Sequence, residues 1–229
     1  MRRRRAAALV LALAAIAVLL GLGVWQVERR AGKLALIAQV ERRLAAPPVA
    51  APGPARWPSI GRDDAYTRVR ARGRWRRGAD SFVQAVTDLG GGYWVITPLD
   101  TDAGWPLLVN RGFVPASARA ALPPPPAGPV GVTGLLRVTE PGGAFLRSNR
   151  ASEDRWYSRD VAAIAARRKV AGVAPYFVDA DRGPGAWPRG GLTTVRFPNN
   201  HLVYALTWFA LAAMTGFLLW RAIRQERRA

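Results

Sequence analysis

The chain of 229 residues has no cysteine, a single histidine, and fifteen acidic residues against thirty-four basic ones. Without cysteine there is no disulfide framework, no thiolate metal site and no cysteine nucleophile. The lone imidazole, His201, excludes any site that needs two from one chain, such as a His-x-x-x-His zinc centre. A Ser-His-Asp triad would hang on that residue alone. What is present is a formal charge of +19 and a hydrophobic fraction of 50%, with a mean hydropathy near zero. So much apolar content excludes a disordered basic tail. The near-zero mean hides an uneven distribution, because two long apolar runs stand at opposite ends of the chain.

Residues 6–27 carry no charge, about twenty residues, enough for a helix to cross a hydrocarbon core of ~30 Å. Met1 followed by Arg2–Arg5 would also suit a cleaved signal peptide. The run is longer than such a peptide needs, though, and it ends in Trp25-Gln26 without a small-residue cleavage site, so the reading is an uncleaved anchor. The second run, residues 201–220, holds no charged residue apart from its histidine and is trailed by arginines, with Trp220 at the level of an interfacial belt. Both outer tails are short and basic, which predicts that both termini are cytoplasmic. The expected organisation is a basic tail (1–5), a span (6–27), an extracytoplasmic domain (28–200), a second span (201–220) and a second basic tail (221–229). In a Gram-negative bacterium this is a multi-pass inner-membrane protein with a periplasmic domain. A translocated domain is not barred by its own positive charge, since long segments cross largely regardless of it.

Within the outer segment, residues 28–46 read as a helix with Leu34, Ile37, Val40 and Leu44 on one stripe, ending at Pro47-Pro48. The stretch PPVAAPGPARWPS is a linker by composition. Arg68, Arg70, Arg72, Arg74 and Arg76 then occupy every second position, a strand with one basic face. That face suits a solvated edge, anionic lipid headgroups, a carboxylate-bearing ligand or an acidic partner. Nucleic acid is not expected, because the basic domain is predicted outside the cytoplasm. Further strands are predicted at SFVQAV, YWVITPL, WPLLVNRGFVP, VGVTGLLRV, PYFVDA and LTTVRF, and a helix near 159–169. The predicted fold is an α+β, mainly antiparallel β domain, a compact sheet or partial barrel, carried by a two-span membrane protein.

An ordered series of motifs then resembles the Surf1 family, which assists assembly of haem-copper cytochrome c oxidase. Gly23-Val24-Trp25-Gln26 with Arg29 or Arg30 and Lys33 is similar to its first-span exit, and Tyr66 with RVRARGRW to its first strand. GYWVITPL (92–99) and VNRGFVP (109–115) are similar to its central pair. Pro198-Asn199-Asn200-His201-Leu202, with Tyr204, Ala205, Thr207 and Trp208, is similar to the start of its second span. The resemblance implies an assembly factor and not an enzyme. It further implies haem a as the bound group, oxidase subunit I as the acceptor, haem a synthase as a further candidate partner, and membrane lipid around the spans. A haem-free chaperone that stabilises an oxidase subunit is the alternative. An enzyme acting on an anionic envelope substrate is a third reading, opposed by an outer domain without histidine, cysteine or an evident nucleophile–base pair.

The resemblance maps the family's histidine onto His201, and neutral imidazole is a common axial ligand of haem iron. Met214 lies thirteen residues on, about 20 Å along a helix, and cannot complete a second axial bond on the same iron. Tyr204 and Trp208 follow His201 at helical spacing, and Trp25 belongs to the same bilayer level on the first span, so each is a candidate to pack the macrocycle. As structural residues the tryptophans would be interfacial anchors and His201 a helix cap. Asn110-Arg111-Gly112 reads as a turn, or as a site where Arg111 pairs with a propionate.

Overall fold

The computed structural model describes residues 2–144, 146–183, 187–193 and 199–226. The chain forms two units, Met1–Gln39 with Arg196–Ala229, and Val40–Val195.

The described residues of the first unit are almost wholly helical. Helix α1 runs unbroken over Arg2–Ala45, and the last helix, α3, over His201–Glu226. No proline occurs before Pro47, so nothing removes a backbone donor between the apolar run and the charged segment after it. The predicted span and the helix predicted to follow it are therefore one helix. At ~1.5 Å per residue, α1 is about 66 Å long, twice what a bilayer core requires. Large apolar side chains such as Val10, Leu11 and Val18 on α1, and Leu206 and Leu218 on α3, are exposed, as lipid-facing residues must be. Where the helices meet, the contact is made by small residues. Gly23 lies under the Phe209 ring, and Gly216 faces Ile16.

The second unit is built on β1 (Val49–Ala50), β2 (Arg68–Trp75), β3 (Ser81–Thr87), β4 (Gly90–Thr101), β5 (Pro106–Pro115), β6 (Pro129–Val138) and β9 (Tyr176–Ala180), with a small separate hairpin, β7 (Gly143–Ala144) and β8 (Arg147–Ser148). The sheet order is β1-β2-β6-β9-β5-β4-β3, and β2 also pairs with β4 through Gly73, Arg74 and Trp75. That extra pairing closes β2, β6, β9, β5 and β4 into a ring, so the sheet is a barrel with β1 and β3 as flanking strands. Among the described strand pairs, only β1–β2 and β5–β9 are parallel. Gly73 is where β2 crosses β4, and a Cβ there would run into the Asp100 carbonyl.

Alternation sorts the side chains. Val69, Leu107, Val109, Val132, Leu136, Tyr176 and Val178 fill the ring. Leu108 and Phe177 point outward, where they join Val83, Ile96, Trp156 and Ile164 in a second cluster under α2 (Val161–Arg167). Burial on both faces explains why β5 and β9 read as continuous apolar runs. The N-cap of α2 is Asp160, whose carboxylate accepts from the Ala163 amide at 3.1 Å. On β2 the predicted alternation holds, with Val69 and Gly73 inward and Arg70, Arg72 and Arg74 exposed.

Two local readings change. The proline-rich stretch is not a free linker. It carries β1 and a short 3-10 turn (Pro54–Ser59), and the Pro52 carbonyl accepts from Trp57 Nε1 at 3.0 Å and from the Tyr176 hydroxyl at 2.8 Å. Asn110-Arg111-Gly112 is not a turn but the middle of β5, held by Asn110 Oδ1 accepting from the Gly112 amide. The LTTVRF strand, Pro198 and the last two arginines lie outside the described residues, apart from Leu192 and Thr193, which belong to no strand.

Candidate functional site

His201 opens α3, and its Nδ1 lies 2.7 Å from Gln26 Oε1 of α1. The contact suits the tautomer in which Nδ1–H donates to the amide oxygen, the one that would leave Nε2 available to a ligand. Such a second partner fixes the tautomer and orientation of a metal-ligating imidazole. The antiparallel packing of α1 on α3 places Trp25 and His201 on one cleft of about 500 Å³, shared with Glu28, Arg29, Lys33 and Leu36. The Arg29 guanidinium sits 5.7 Å from the Trp25 ring centroid, a cation–π distance. The side-by-side helix contact that a joint Trp25–His201 site requires is therefore present.

The other candidates are placed differently. Trp208 is half-buried on α3 two turns after His201, and Tyr204 is exposed; neither lines the cleft. The packed stripe of α3 runs instead through Ala205 and Ala212, both buried. Arg111 belongs to the barrel unit. Gln26 is the residue the sequence reading passed over. Its position beside Trp25 was in view, but a neutral amide gives no signal until a donor faces it.

Sequence reasoning also missed a buried ionic cluster in the barrel. Asp179, 3% exposed, accepts from Asn110 Nδ2 at 2.8 Å, Arg137 at 2.9 Å, Arg159 at 3.2 Å and Thr193 Oγ1 at 2.9 Å. Burial alone would disfavour the Arg159 charge, but Asp179 and Glu140 outweigh it and raise its pKa above the ordinary value. Every partner in this cluster is satisfied, so it is structural cement for β5, β6 and β9.

Two helices long and apolar enough to cross a membrane, with a small closed β-barrel between them in the chain, fit the class of multi-pass membrane proteins with one folded domain. Residues 13–213 match the model of the SURF1 family. The chain is 36% identical over 220 residues to Surfeit locus protein 1 of Mus musculus, covering 86% of this chain and 70% of that protein. It is 35% identical over 224 residues to Surfeit locus protein 1 of Homo sapiens, covering 86% and 71%. Against a SURF1-like protein of Monosiga brevicollis the identity is 33% over 228 residues, covering 90% and 83%. The chain belongs to the SURF1 family.

Proposed function

We propose that this chain is a membrane-anchored assembly factor for haem-copper cytochrome c oxidase, and not an enzyme, which binds haem a through His201 and passes it to oxidase subunit I. Family membership implies the assembly role. The observation that supports the haem reading is the His201–Gln26 pair on the wall of the Trp25 cleft. Among the described residues no group of three or more His, Cys, Asp or Glu is placed to hold a bare metal ion. A haem iron arrives with its macrocycle already bound and asks the protein for one imidazole. His201 supplies that ligand, Trp25 an apolar wall, and Arg29 and Lys33 positive charge for the propionates. Tyr204 and Trp208 offer further aromatic surface along α3, and Arg111 is a propionate partner on its chemistry alone. In this reading the barrel domain lies outside a bacterial plasma membrane, with haem a synthase as the donor-side partner and both termini cytoplasmic.

The alternative, a haem-free scaffold for an oxidase subunit, draws support from the exposed Arg70, Arg72 and Arg74 face, which suits an acidic protein surface. Purification from cells that make haem a, followed by a visible spectrum, separates the two. The haem reading expects a haem a band in the wild type. It expects that band greatly reduced in His201→Ala, with membrane insertion and thermal midpoint retained. A colourless wild type that still co-purifies with subunit I favours the scaffold. Full haem occupancy and an unchanged spectrum in His201→Ala would remove His201 as the ligand.

A further inference from the structure

The barrel has a mouth. A cavity of about 460 Å³ opens where β2 ends, β6 begins and β9 runs out, within the roughly 300–1,000 Å³ range of small-molecule sites. Trp75, Val130, Val132 and Ala180 give it apolar walls continuous with the barrel interior. Arg111 also lines it. On β5, Leu107, Val109 and Arg111 share a face, and the first two lie in the barrel core. Strand alternation thus sends a guanidinium to a position where an aliphatic side chain would continue the core.

That guanidinium is poorly provided for. The Arg111 side chain keeps 10% of its exposure, and its Nη1 is sealed from solvent without a hydrogen-bond partner. The nearest carboxylate oxygen, Oδ2 of Asp80, is 3.8 Å away, too far for a hydrogen bond, and the Trp75 ring centroid lies 5.7 Å from the guanidinium carbon. Burial lowers the Arg111 pKa more than Asp80 raises it, yet an arginine stays protonated in a folded protein. Other largely buried arginines are treated differently: Arg137 and Arg159 bond Asp179, and Arg168 bonds Asp154 and Ser81. Buried polar groups left without partners are uncommon and call for an explanation. At the rim, Arg182 adds a second cation, while the one acidic lining residue, Asp181, is paired with Arg68.

We propose that the mouth of the barrel binds an organic carboxylate, its oxygens held by Arg111 and its apolar body lying against Trp75, Val130 and Val132. A planar guanidinium fork matches a carboxylate. The inference does not rest on the haem reading and does not involve His201. The carboxylate has two chemical sources, a small organic acid or a porphyrin propionate.

The test uses the full chain in detergent micelles with trifluoromethylbenzoate as the probe, followed through its fluorine NMR line, and the neutral trifluoromethylbenzamide as control. The wild type broadens the acid line and not the amide line. Arg111→Met weakens binding by about tenfold or more, the scale of a charged hydrogen bond, and its thermal midpoint stays within a few degrees of the wild type's, because the 3.8 Å approach to Asp80 is too long for a hydrogen bond and methionine keeps the apolar part of the side chain. Ala180→Leu fills the cavity, leaves Arg111 in place and also abolishes the broadening. Iron-free protoporphyrin then identifies the source. Displacement of the probe assigns the site to a propionate, and persistence assigns it to a small acid. Equal broadening of acid and amide by the wild type, or of the acid by Arg111→Met, overturns the proposal. So does an Arg111→Met chain that melts several degrees lower, since Arg111 would then serve the fold.

Discussion

Tyr176 shows how one side chain couples the proline-rich stretch to the barrel. It is fully buried in the ring, and its hydroxyl donates to the Pro52 carbonyl. Burial raises its pKa, because the phenolate would have to exist without water. The folded state therefore holds the phenolic proton more tightly than the unfolded chain, whose tyrosines ionise near ~10. This contribution to stability is complete below pH ~10 and is lost as pH rises above that value toward the folded-state pKa. Thermal melts between pH 8 and 11 should show the wild-type midpoint falling more steeply above ~10 than that of Tyr176→Phe. The variant itself starts about 1 kcal/mol lower for its lost hydrogen bond. Parallel curves for the two proteins would show that Tyr176 does not set the alkaline limit. Little at this scale was legible beforehand. The residues that satisfy Asp179 stand 69, 42, 20 and 14 positions from it in the chain. Sequence proximity gives no access to such partners, so Asn110 and Gly112 suggested a turn by their local preference when long-range bonding makes them part of a strand.

Elements were more legible, because each carries its own period. The arginine alternation marked β2, and apolar runs marked β3, β4, β5, β6 and β9 within a few residues of their ends. The helix read near 159–169 is α2, which is shorter, Val161–Arg167. Ring closure was not legible, since no pattern in β2 or β4 announces that Trp75 will face Leu99. At the level of paired helices, Gly23 is the position that allows α1 and α3 to approach. It lies one helical turn from Gln26, and a Cβ there would overlap the Phe209 ring. Small residues at such contacts permit close helix packing in a membrane. If the proposed haem site is right, Gly23→Val should push Phe209 aside, part Gln26 from His201 and lower haem retention, with the barrel's thermal midpoint unchanged. Haem occupancy and the melting curve, measured on the same preparation, check both halves. Normal occupancy would mean that the Gln26 contact does not orient the imidazole.

For the whole molecule, the proposed orientation rests on arginine placement. Arg2–Arg5 precede the first apolar run, and Arg221 and Arg224 follow the second. Under the positive-inside rule both belong to the cytoplasm. Reporter fusions after Ala229 and beside Pro124 should therefore report opposite sides of the membrane, and an external signal from Ala229 would reverse the topology. The barrel adds a consequence in time. Among the described residues the last strand to be synthesised, β9, is hydrogen-bonded to β5 on one side and β6 on the other. Until residue 180 has emerged, β5 and β6 each wait with an open edge and the interior of the barrel stays wet. Pairing strands so far apart in the chain is slow compared with helix formation. The chain is thus committed to a late, single closing event just before α3 is made. A polypeptide cut short anywhere before Tyr176 has no smaller barrel to fall back on.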